Sequence, residues 1–147
     1  MVSEVVTYYD GIEGKDVTKR LYFNLTGAEV SELGMDIEGG FEGLQDRVNN
    51  DFRGTFKEYY GIIKAIVVKA YGVKSKDGRT IIKPEEETLK FAASEAYSTI
   101  VKKLFEDETG NTLISFLEQV SDGAKKNNQN SKVVPMKKES EAAATVE

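Results

Sequence analysis

The clearest hydrophobic pattern lies in the middle of the chain. In DFRGTFKEYYGIIKAIVVKAYG, residues 51–72, Phe52, Phe56, Tyr59, Ile63, Ile66, Val67 and Ala70 recur at steps of three and four. That spacing places side chains on one face of an α-helix. Asp51 stands where an N-cap belongs and Gly72 where a helix ends. Tyr60, Ile62 and Val68 widen the apolar surface beyond a single stripe, so the segment is predicted as a central helix, 52–71, touched on more than one side.

Ahead of it the period changes to two. EVVTYY (4–9) is β-branched and aromatic, and VTKRLYFNL (17–25) alternates. Val17, Leu21, Phe23 and Leu25 share one face with Lys19 the exception, while Thr18, Arg20, Tyr22 and Asn24 share the other. DGIEGKD between the runs is rich in turn formers. The prediction is a β-hairpin over 4–25, which two strands alone stabilise poorly and which must therefore pack on helices or join a larger sheet.

The remaining segments read as shorter helices. Thr26-Gly-Ala-Glu29 has the form of a capping box and opens a helix through Leu33 that Gly34 ends. Phe41, Leu44 and Val48 follow at helical spacing behind Gly39 and Gly40. Pro84 suits the first position of a helix whose first turn holds Glu85, Glu86 and Glu87. Ser94 restarts a helix with the stripe Tyr97, Ile100, Val101, Leu104 and Phe105, and Thr109 caps a last one bearing Leu113, Phe116, Leu117 and Val120. From Asp122 onward only isolated apolar residues occur, too few to offset the entropy of ordering, so the tail is expected to be disordered. The predicted class is mainly α with a small N-terminal β-hairpin (α+β), about five helices surrounding the central helix 52–71. One globular domain spans 1–121 (hairpin 4–25, helices 27–121), and a flexible polar tail spans 122–147.

Composition removes several kinds of chemistry. The 147 residues include no Cys and no His, which excludes disulfides, thiolate–imidazole zinc sites and Cys–His or Ser–His catalysis. MVSEVVTYYD has no basic stretch leading into an apolar run, and no window nears eighteen apolar residues, so a soluble intracellular protein is expected, with no membrane partner. Net charge is −5, and because residues 123–147 hold five Lys and three Glu, residues 1–122 carry −7. So acidic a body is a poor nucleic-acid binder.

No motif calls for a cofactor or a metal. Gly39-Gly40-Phe41-Glu42-Gly43 lacks the spacing of a dinucleotide loop and reads as a flexible helix start. In KAYGVKSKDGRTIIKP (69–84), Asp77-Gly78 invites a calcium loop, but Lys74, Lys76 and Arg79 repel a cation. The same stretch offers Tyr71 as its one stacking aromatic, against the several that RNA platforms use, and reads as a solvated connector. Glu85–Glu87 and Glu106–Glu108 sit at helix ends, where helix electrostatics and solvation explain them. No catalytic constellation converges, and the chain is expected not to be an enzyme.

Three stretches, LYFNLTGAEVSELGMDIEGGFE (21–42), IIKAIVVKAYGVKSKDGRTIIKPEE (62–86) and SEAYSTIVKKLFED (94–107), resemble in order and spacing the tail assembly chaperones of phages with long non-contractile tails. The KAYGVKSKDGR and FNLT blocks are the most specific parts, the likeness covers roughly residues 4–121, and Ile81 stands where members usually carry an aromatic. The resemblance implies a non-enzymatic chaperone in the host cell cytoplasm, not expected in the mature virion. It implies binding to the tape measure protein, kept soluble while the tail tube assembles. It also implies the tail tube protein, a frameshifted longer form of the chain and further copies of the chain as partners. Lys125-Lys126 and Lys137-Lys138 are the candidate places for a ribosomal slip, against the plain reading of a basic spacer. The candidate partner-binding residues are Phe52, Phe56, Tyr59, Tyr60 and Ile63, whose competing reading is a buried core stripe. The rival functional class is a virion structural protein such as a head–tail connector or tail completion protein.

Overall fold

The computed structural model describes residues 1–131. Strands β1 (Val2–Asp10) and β2 (Lys15–Phe23) form the expected hairpin, paired from Val2↔Phe23 to Asp10↔Lys15. The alternation sorts their side chains. Val6, Leu21 and Phe23 are buried, while Thr7 and Thr18 join hydroxyls at 2.9 Å on the outer face. The sheet is larger than the hairpin. Strand β3 (Tyr71–Lys74) pairs antiparallel with β2 through Tyr22↔Gly72 and Phe23↔Tyr71, and β4 (Ile81–Ile82) pairs with β3. The connector 69–84 is therefore itself a hairpin. Its turn is held by Asp77, which accepts from the Ser75 hydroxyl and from the Arg79 N–H, and these bonds hold its carboxyl below the usual range.

Seven helices occur among the described residues: α1 (Gly27–Gly34), α2 (Gly40–Asn50), α3 (Phe52–Glu58), α4 (Tyr60–Ala70), α5 (Glu85–Ala92), α6 (Glu95–Glu106) and α7 (Asn111–Ser131). The Thr26–Glu29 capping box forms as expected. Gly39 and Gly40 both take positive φ, 81° and 66°, which is why a Gly-Gly pair opens α2.

Three expectations are corrected. The central helix 52–71 is two helices meeting at Tyr59, whose φ of −104° and ψ of 20° leave the helical region. Hydrogen bonds cross the junction, Tyr59 N–H to Thr55 O and Ile63 N–H to Tyr59 O, so the apolar periodicity runs through without a change of phase. Gly72 does not end a helix; it sits buried in β3, and the helix stops at Ala70. The last helix does not stop before Asp122 but runs through Ser131. The apolar rhythm continues one turn further through buried Ser121 and Ala124, and the Ser121 hydroxyl donates to the Leu117 carbonyl. The rest of the expected tail, 132–147, lies outside the described residues.

The helices converge on the inner face of the sheet. Phe23 is the hub: fully buried, its ring meets Tyr71, Phe91 and Phe116 edge-on at 5.4–6.0 Å. Asn24 and Leu25, just past β2, donate their N–H groups to Ala70 O of α4 and Val120 O of α7. Lys83 crosses from β4 to α1, donating to Asn24 O at 2.7 Å and to Glu29 Oε1 at 2.6 Å.

Candidate functional site

A solvent-open groove of about 660 Å³ lies between α3–α4 and α6. One wall presents Arg53, Phe56, Lys57, Tyr60 and Lys64, the other Tyr97, Ser98, Val101, Lys102 and Phe105. Steps of three, four and eight residues put each set on one face of its helix. The floor is aromatic. Phe56 lies with its ring 5.1 Å from Phe105 and 5.6 Å from Tyr60. Tyr60 and Phe105, each in ring contact with Phe56, are 42% and 47% exposed, a large fraction for aromatic side chains, and so the groove is an uncovered apolar surface.

Its rim is basic. Lys64 holds its ammonium 4.4 Å from the centre of the Tyr60 ring, a cation–π contact. Arg53 pairs with Glu108 and Lys102 with Glu106, while among the described residues Lys57 and Lys64 have no carboxylate partner. Among the described residues no Asp or Glu lines the groove. Burial, with a small addition from Tyr60, pushes the Tyr97 hydroxyl above its usual range, so that side chain stays neutral at physiological pH.

The sequence-predicted residues divide here. Phe52, Phe56 and Ile63 are all buried, and Phe52 and Ile63 belong to the core and do not line the groove. Tyr59 is half-buried, with the Arg47 guanidinium 5.6 Å over its ring. Phe56 and Tyr60 do line the groove. The far wall was missed, because Tyr97, Val101 and Phe105 read as one stripe with Ile100 and Leu104. In the fold Ile100 and Leu104 face the core while Phe105 turns outward. Signals for that split were the neighbouring cations Lys102 and Lys103, which mark the edge of a buried face.

A smaller cleft of about 290 Å³ lies between β1, α6 and α7, lined in part by the Glu4–Lys103 ion pair. Among the described residues no three or more His, Cys, Asp or Glu side chains group as metal ligands, and no helix is long and apolar enough to cross a membrane.

The described residues thus form an aromatic groove with a cationic rim, on a helical layer backed by an antiparallel sheet. The family model described as phage tail assembly chaperone matches residues 1–144, and the chain belongs to that family. No curated protein and no solved structure matches it.

Proposed function

We propose that this chain holds the tape measure protein in solution until tail tube subunits have assembled around it. The observation that carries this reading is the match to the chaperone family across residues 1–144. The physics of the molecule supports it, since a holdase needs exposed apolar surface for client segments and net charge for its own solubility. The groove supplies the first and the net charge of −5 the second. Tyr60 is the client-facing member of the candidate set, its ring in contact with buried Phe56. The work is reversible binding in the cytoplasm of the infected cell, without catalysis or a cofactor, and the chain leaves before the particle is complete. Further partners are the tail tube protein, other copies of the chain, and a longer form made by a ribosomal slip at Lys125-Lys126 or Lys137-Lys138.

Co-expression tests the central claim. The soluble fraction of the tape measure protein should rise severalfold when this chain is present, and an unchanged fraction refutes it. Mass spectrometry of purified particles should find the chain absent; a fixed copy number per particle would make it a virion structural component instead. A slippery heptamer in the gene at one of the two Lys-Lys pairs is expected, and its absence from both removes the frameshift.

A further inference from the structure

Resting on the chaperone reading, we infer that the groove between α3–α4 and α6 takes a client segment that is helical, amphipathic and acidic. Helical, because the groove is walled by the side chains of three helices and offers sockets, not a row of unpaired backbone groups. An extended segment would leave its own N–H and C=O groups unsatisfied there, whereas a helix satisfies them internally. Its length follows from the walls. Arg53 to Lys64 is a rise of eleven residue steps and Tyr97 to Phe105 of eight, about 17 and 12 Å at 1.5 Å per residue, so two to three turns of client helix fill the groove. Apolar side chains at i, i+3 or i+4, and i+7 fit the floor of Phe56, Tyr60 and Phe105.

The acidic character comes from the rim. Arg53, Lys57, Lys64 and Lys102 surround the aromatic floor with no carboxylate among the lining residues, on a chain whose net charge is −5. The local sign thus runs against that of the whole molecule. Among the described residues Lys57 and Lys64 stand without a carboxylate, and the pairs Arg53–Glu108 and Lys102–Glu106 lie close to the surface, where exchange of one carboxylate for another costs little. A client helix with Asp or Glu beside its apolar stripe completes these cations. A basic client helix would meet like charge at each edge.

The probe is a set of fluorescein-labelled peptides, about twenty residues each, tiling the tape measure protein and titrated with the full-length chain by anisotropy. The peptides that bind should carry net negative charge and the i, i+3/i+4, i+7 apolar spacing. The double variant Lys57→Glu/Lys64→Glu should weaken them about tenfold, since two exposed attractions become repulsions. Tyr60→Ala should weaken them too, and the control Lys74→Glu/Lys76→Glu, an equal charge change at the distal β3–β4 hairpin, should not. Circular dichroism and thermal melting confirm that the variants fold. Raising salt from about 50 to about 500 mM should weaken wild type, whose rim attractions are screened, and should not weaken the double variant to the same extent, because screening there also relieves the two new repulsions. The inference is overturned if the binding peptides are basic or uncharged, or if the double variant binds them within twofold of wild type. A change in oligomeric state on sedimentation of either groove variant would also overturn it, since the groove would then join copies of the chain. If wild type binds no peptide and fails to keep the intact tape measure protein soluble, the chaperone reading itself fails. If wild type keeps the intact protein soluble and the double variant does so equally well, the groove inference falls alone.

Discussion

Replacing Lys83 with Met retains the aliphatic stem and removes the ammonium that joins β4 to α1. That ammonium donates at 2.7 Å to the Asn24 carbonyl and at 2.6 Å to Glu29, and the two charged side chains are only 22% and 20% exposed. Hydrogen bonds to charged groups contribute about 1.5–3 kcal/mol each, an upper bound of about 6 for the pair. Water reaches both groups, and Glu29 retains its bond from the Thr26 N–H, so the expected loss is about 2 kcal/mol. For a domain of this size that lowers Tm by about 6 °C. Urea unfolding at neutral pH measures it directly. The acid limb gives a second reading. Burial opposes ionisation of Glu29, but bonds from Lys83 and from the Thr26 backbone outweigh it and hold the carboxyl below its ordinary range. Its contribution is therefore complete above about pH 4.3, the ordinary Glu value, and is lost as pH falls through the lower folded value. Lys83→Met should show a shallower loss of stability below that pH than wild type. A change under about 0.5 kcal/mol, the scale of an inert surface substitution, together with an unaltered acid limb, would refute the reasoning.

Phe23→Ala, at the fully buried meeting point of three aromatic rings, should cost about 3–5 kcal/mol by chemical denaturation. Gly72→Ala would place a Cβ 2.3 Å from the Ile81 Cγ2 methyl and 2.9 Å from the Ile82 carbonyl oxygen; it should cost about 1–3 kcal/mol, and adding Ile81→Ala should recover only part, because the carbonyl remains. The Asp107 carboxylate, which accepts from the hydroxyls and N–H groups of Thr109 and Thr112, is held down to about 2. NMR titration should place its midpoint there, and Thr109→Ala should raise it toward the ordinary Asp value, as the Thr109 hydroxyl is the largest cause.

Much of the fold was legible because local chemistry and tertiary packing agree. The Thr26–Glu29 capping box, the Gly39-Gly40 helix start and the alternation of β2 each have a cause within a few residues. What escaped depends on partners far along the chain. Four residues of β3 and two of β4 are too few to show a period, and only the pairing of β3 with β2 and of β4 with β3 makes them strands. The bend at Tyr59 inserts no residue, so the hydrophobic phase carries no trace of it. The groove was half visible. Apolar spacing names side chains that share a helix face, but which part of that face a neighbour covers is set by packing, and so Phe52 and Ile63 went to the core while Tyr60 did not.

The two residues after β2 have an effect on dynamics. Asn24 and Leu25 bond to the end of α4 and to the middle of α7, and the Asn24 carbonyl receives Lys83 from beyond β4. Segments separated by as many as about a hundred positions in the chain thus share one short junction, and none of them can loosen without breaking a bond there. Local opening should consequently be confined to the outer parts of the molecule, such as the β1–β2 turn and the β3–β4 turn. The Asn24 and Leu25 amides should exchange with solvent only when the sheet and its helices come apart together, as one cooperative unit.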